Sequence, residues 1–148
     1  MSLKDSITED MKSAMKAGDK DRLKVVRLIL AAIKQVEVDS RKELDDTAVL
    51  GVLDKMVKQR RDSVEQFTKG GRDDLAAIER AEIEVVEGYL PAKMDDAEVD
   101  AMIDEVIAAT GAESIRDMGK VMGAIKSRAA GRADMGVVGG RVKERLGV

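Results

Sequence analysis

The sequence predicts an all-α protein: an N-terminal four-helix body, residues 1–93, followed by a small three-helix C-terminal domain, residues 94–148. Three observations carry this reading. Apolar residues recur at spacings of three and four along the whole chain, and nowhere do they alternate strictly over the length of a strand. Aromatic residues make up only 1% of the composition, with Phe67 and Tyr89 the sole rings, so the core is built from Leu, Ile, Val, Ala and nine Met, which suits helix packing better than a sheet. Finally, the single proline, Pro91, is followed by a fresh helix-start pattern.

Each element follows from its own signals. Leu3, Ile7, Met11, Ala14 and Met15 form a first stripe, with Ser2 as N-cap, Asp5 three residues on, and Gly18 as the stop. A second helix runs from about Asp21 to about Val38 on Leu23, Val26, Leu30, Ile33 and Val36, and Asp39 to Asp46 is a polar connection. The third opens near Asp46 or Thr47, carries Leu50, Leu53, Val57, Val64 and Phe67, and ends at Gly70-Gly71. The fourth, with Leu75, Ile78, Ala81, Val85, Val86 and Tyr89, must stop by Leu90, because Pro91 has no N–H and restricts the residue before it. Leu90 to Met94 is then the expected hinge.

Beyond it, Asp95-Asp96-Ala97-Glu98 has the form of a capping box, leading into Val99, Met102, Ile103, Val106 and Ile107 and closing at Gly111. Ser114 caps a helix expected to run unbroken from Ile115 to about Ala129. Asp134 caps a last one with Met135, Val138, Val142 and Leu146 at helical spacing. Gly136, Gly139 and Gly140 stand where helix formers are expected, which predicts a frayed last helix and an unfixed position for Arg141, Lys143 and Arg145.

Composition excludes whole classes of chemistry. The chain has neither Cys nor His, which removes disulfides, thiolate nucleophiles, Ser-His and Cys-His machinery and His-containing metal sites, so no metal and no cofactor are expected. The carboxylate pairs Asp45-Asp46, Asp73-Asp74 and Asp95-Asp96 all fall at helix starts, where acidic residues cap free N–H groups, and capping is their expected role. Glu79, Glu82, Glu84 and Glu87 are read as an exposed acidic face. Neither Gly-Gly pair stands in a strand-turn-helix context and no phosphate loop is present, so nucleotide binding is set aside. No apolar run reaches the roughly 20 residues that span a bilayer, and the N-terminus lacks a signal-peptide pattern, from which a cytoplasmic protein with no membrane role is expected.

Charge marks the tail. Asp95 to Glu113 holds seven acidic residues and no basic one, whereas from Ser114 onward there are eight basic residues against three acidic ones. Within the helix after Ser114, a 100° projection puts Ile115, Met118, Val121, Met122 and Ile125 on one side and Arg116, Gly119, Lys120, Gly123 and Ser127 on the other. Two glycines spaced GxxxG beside two cations make a surface that another backbone can approach, with charges for phosphates or carboxylates. The competing reading is that both glycines only permit tight packing inside this chain. With two scattered rings, stacking on bases is excluded, so any RNA contact runs through backbone and shape, and no DNA contact is expected.

Four runs then carry a resemblance: Val26 to Leu30, Lys58-Gln59-Arg60-Arg61-Asp62-Ser63 through Phe67, Glu82 to Pro91, and Met118-Gly119-Lys120-Val121-Met122-Gly123. Together they resemble the GatB/YqeY family, specifically its stand-alone YqeY-like members, over essentially the whole chain. The resemblance implies a helical body and a tail similar to the C-terminal domain of the B subunit of glutamine-dependent aspartyl/glutamyl-tRNA amidotransferase. In that enzyme the tail engages tRNA, while kinase and transamidation chemistry belongs to a separate core with no counterpart here. The family also carries a carbon-nitrogen ligase label with glutamine as amido donor, for which these residues offer no chemistry. The expected function is therefore a non-catalytic accessory module that docks tRNA, or a tRNA-handling protein, through Arg116, Gly119, Lys120, Gly123, Lys126, Arg128 and Arg132. The alternatives are a protein-protein adaptor whose body meets an acidic partner through Lys58, Arg60 and Arg61, and, more weakly, a component of a carbon-nitrogen ligase.

Overall fold

The computed structural model describes residues 2–147, and these are all-α, with seven α-helices and one 3-10 turn. The chain divides into two compact units, Met1–Pro91 and Ala92–Val148.

The first unit holds α1 (Leu3–Ala17), α2 (Lys20–Ser40), α3 (Asp46–Lys69) and α4 (Asp73–Glu87). Ser2 and Asp5 form a reciprocal capping box at the start of α1, and Gly18 ends it in the left-handed conformation at φ 70° that favours glycine. Asp19 caps α2 and Asp45 caps α3, while Asp46 accepts the Leu3 N–H at 2.9 Å and so satisfies a free donor of α1 instead of its own helix. Glu37 fastens the same corner: its carboxylate takes the Lys4 ammonium at 2.9 Å and the Leu44 N–H at 2.9 Å. Those two contacts, the Leu44 bond first, hold its pKa below the usual carboxylate range.

The core of this unit is Ile7, Val25, Val26, Ile29, Ile33, Val49, Leu53, Met56, Val57 and Val86. It differs from the expected stripes in phase. α2 buries Val25 and Ile29 in place of Leu23 and Leu30, and leaves Val36 exposed. α2 is apolar over more than half its circumference, so periodicity alone does not orient it, and the choice is made by contact with α1, α3 and α4 together. The same holds in α4. Ala76 and Val86 face α3, which leaves Ile78 51% exposed and turns Glu82 inward.

The second unit contains α5 (Asp96–Thr110), the 3-10 turn Ile115–Asp117, α6 (Met118–Ala129) and α7 (Met135–Leu146). Its core joins Val99, Met102, Ile103 and Val106 of α5, Val121, Ile125 and Ala129 of α6, and Val138, Val142 and Leu146 of α7. Asp95 caps α5 through the Glu98 N–H at 2.8 Å, but Glu98 reaches Arg132 and does not complete a capping box. Two expectations are corrected. The helix expected from Ile115 begins only at Met118, because Ser114 and Asp117 close a capping box around a 3-10 turn, which leaves Ile115 46% exposed and outside the apolar stripe. The last helix is formed, not frayed. Its Val138-Val142-Leu146 row is buried, and Gly139 lies where an added Cβ would stand 3.7 Å from the Met122 Cε and 3.8 Å from the Met118 Cε, so a small residue suits that seam with α6.

Candidate nucleic-acid interface

The eight cations of the tail fall into two sets. All four arginines from Arg128 onward are tied to acids of α5. Asp96, Asp100 and Asp104 recur at four-residue spacing and form one row, and Arg141 and Arg145, four apart on α7, meet it. Arg141 reaches Asp96 at 2.9 Å and Asp100 at 3.1 Å, and Arg145 pairs with Asp100 and Asp104. Arg128 meets Glu105 at 2.7 Å, and Arg132 meets Glu98 at 3.5 Å while its Nε donates to the Ala92 carbonyl at 2.9 Å. The acidic run of α5 is thus neutralised within the unit by the arginines that sequence reasoning left in doubt and by two it had assigned to binding.

The second set comprises Arg116, Lys120, Lys126 and Lys143. All four are exposed, and among the described residues none forms an ion pair. Arg116 and Lys120 flank Gly119 and Gly123, which are exposed as well. A Cβ added at either glycine would find nothing within 4 Å. This decides between the two readings of the GxxxG pair. The glycines do not serve a helix crossing inside the chain; they leave a strip of bare backbone on the outer side of α6. Gly123, interior to α6, costs roughly 1 kcal/mol against Ala, while Gly119 stands in the helix's first turn. Lys126 stands one turn after Met122, and Lys143 one turn after Gly139, so both border the α6–α7 seam beside the strip. Lys143 was missed because the last helix was expected to fray; the Val138-Val142-Leu146 spacing already contained the signal.

Asp117 lies beside this face, within the attraction of Lys120, and its carboxylate is engaged by backbone N–H groups. Its carboxylate accepts the Glu113 and Ser114 N–H groups at 3.0 and 3.3 Å, and these bonds, ahead of the attraction of Lys120, hold its pKa below the ordinary value.

The body cations proposed for an acidic partner are engaged internally. Arg60 donates through Nε to Glu82 at 2.9 Å and Arg61 meets Glu87 at 2.7 Å across the α3–α4 hairpin, while Lys58 lies 3.7 Å from Asp54 on its own helix. Glu82 belongs to the four glutamates expected as an exposed face, and that expectation is corrected: only 9% of Glu82 is exposed, because α4 rotates it onto Arg60. The ring of Tyr89 likewise serves the fold. Its hydroxyl donates to Asp10 at 2.6 Å, and burial together with that carboxylate pushes the phenol up to about 12.

The family model for the Yqey-like protein matches residues 4–146. This chain belongs to the YqeY-like family. Among curated relatives, each named "Altered inheritance of mitochondria protein 41, mitochondrial", the protein of Pyrenophora tritici-repentis is 30% identical over 142 residues, which cover 93% of this chain and 77% of that one. That of Eremothecium gossypii is 41% identical over 87 residues, 58% of this chain and 48% of its own. That of Lachancea thermotolerans is 36% identical over 105 residues, 69% and 56% of the two chains. The YqeY-like chain therefore spans about half the length of several relatives it matches. The expectation of a cytoplasmic protein is overturned by these relatives, all of which are named as mitochondrial. No helix is long and apolar enough to cross a membrane among the described residues, but that observation carries no information on compartment, which is why the sequence argument failed.

Proposed function

We propose that this YqeY-like protein is a non-catalytic accessory binding module whose C-terminal unit docks tRNA on the outer face of α6. The observation that carries the reading is the bare glycine strip at Gly119 and Gly123, open to approach and flanked by Arg116, Lys120 and Lys126, none of which is neutralised by an ion pair among the described residues. A strip of this kind suits a phosphate backbone: it offers cations and close approach, and no ring on which a base stacks. The resemblance of the tail to the tRNA-engaging domain of the amidotransferase B subunit supports the same ligand. Arg128 and Arg132 belong to the scaffold in this reading, since acids of α5 already hold them.

The test is a titration of fluorescent bulk tRNA with the full chain and two variants. Arg116→Ala/Lys120→Ala is expected to weaken binding about tenfold or more, and Arg128→Gln by less than about twofold. Equal affinity of all three proteins for tRNA overturns the assignment of this face. The adaptor reading through Lys58, Arg60 and Arg61 has less support, because each of those cations has an acid of the same chain in reach.

A further inference from the structure

Several cations of the body form no ion pair among the described residues, and four of them share one side of α2. Lys20, Lys24, Arg27 and Lys34 are exposed, and among the described residues none of them forms an ion pair. At 100° per residue the four fall within one narrow sector, opposite the buried row Val25, Val26, Ile29 and Ile33. No acidic residue lies between Arg22 and Val36, and the nearest acids of the same helix stand at its ends, Asp21 beside Lys20 and Glu37 one turn after Lys34. Lys20 and Lys24 are four apart and Lys24 and Arg27 three apart, like-charge spacings that destabilise a helix. On α3, by comparison, four of the five cations, Lys58, Arg60, Arg61 and Lys69, have a carboxylate within reach, and among the described residues Lys55 does not.

This charged face is also apolar in part. Leu23 and Leu28 line an open groove of about 390 Å³ whose other walls are Lys20, Lys24 and Arg27. Farther along the same sector stand Ala31 and Val38, and Val38 is 59% exposed. Cations and apolar side chains thus alternate at helical spacing over about 27 Å, the length of 19 helical residues.

We propose that the outer face of α2 docks an acidic amphipathic helix of a partner protein. Charge complementarity and the groove name the occupant: carboxylates at three- and four-residue spacing meet the row Lys20, Lys24, Arg27 and Lys34, and apolar residues beside them seat against Leu23, Leu28 and Val38. A nucleic acid makes no use of the leucine side chains, and no ring is present to stack a base. A bilayer is a poor fit, because the apolar side of α2 that insertion requires is already buried in the body. This surface is independent of the RNA reading, which concerns α6.

The test uses the isotope-labelled full chain and a synthetic 21-residue helix with Leu at alternating three- and four-residue spacing and Glu on both flanks. Amide shifts confined to residues 20–38 are expected, with binding at least tenfold weaker in Lys24→Glu/Arg27→Glu and about threefold weaker in Leu28→Ala. All three positions are exposed, so circular dichroism is expected to show unchanged helix content in each variant. No shifts, shifts elsewhere, or equal binding by the double variant overturns the proposal. Unchanged affinity of Leu28→Ala overturns it in favour of a simple polyanion site. Bulk tRNA or phosphatidylserine vesicles perturbing the same amides at lower concentration than the peptide overturns it in favour of that ligand. Arg116→Ala/Lys120→Ala is expected to bind the peptide normally, which keeps this result separate from that of the α6 face.

Discussion

Arg60 and Glu82 meet at 2.9 Å across the α3–α4 hairpin, with only 15% and 11% of their side chains exposed, and the guanidinium also lies 3.5 Å from the Met56 carbonyl. The pair ties the two helices through a charged contact that enters the body's interior.

Removing one partner leaves the other charge desolvated and alone, which costs more than the pair contributes. Glu82→Ala is expected to lower stability by about 2–3 kcal/mol in urea unfolding. The double change Arg60→Met/Glu82→Leu is expected to fall within about 1 kcal/mol of the parent, since apolar side chains of similar size replace both charges. A single variant as stable as the parent shows that the contact is solvated and incidental.

Glu37 supplies a pH dependence whose sign is set by its lowered pKa. The folded state favours the ionised form, so its contribution is present above the unfolded carboxylate value, about 4.3, and is lost as pH falls through the folded one. Glu37→Gln is therefore expected to be less stable than the parent at pH 7, with the gap closing between about pH 5 and pH 3. A gap independent of pH contradicts the role given to the Lys4 and Leu44 contacts.

Gly123 is open on its outer side, so larger residues are accommodated there. Gly123→Ala is expected to raise stability by about 0.5–1 kcal/mol through helix propensity alone. Gly123→Leu is expected to fold normally and to bind tRNA less well, because its side chain fills the strip. A lowered melting temperature for Gly123→Leu would falsify the open-face geometry.

The two hydrophobic cores draw on separate sets of residues. Residues 1–93 are therefore expected to fold without the tail, and limited proteolysis is expected to cut first between Leu90 and Met94. An unfolded fragment by circular dichroism contradicts separability.

Much of this molecule was legible in its sequence, and the failures share a cause. Caps at Ser2, Asp45, Asp95 and Ser114 and stops at Gly18 and Gly111 were readable because the signal is local: one side chain or one φ angle decides it. The phases of α2 and α4 were not, because a helix with apolar residues on most of its circumference is oriented by its neighbours. That error hid the inward turn of Glu82 and with it the engagement of Arg60. In the tail, the glycine strip was visible as a pattern, but only the structure separates an open GxxxG face from a packed one. The arginine pairs with α5 were equally out of reach, since Asp96 and Arg141 lie 45 residues apart in the chain.

The central claim is that Arg116, Gly119, Lys120 and Gly123 meet phosphates, and the salt dependence of tRNA affinity tests it most directly. If about three to five phosphates are neutralised, log K falls against log salt with a slope of roughly −2 to −5, and Arg116→Ala/Lys120→Ala reduces that slope by about one to two. A slope near zero, or one the double variant leaves unchanged, contradicts the account.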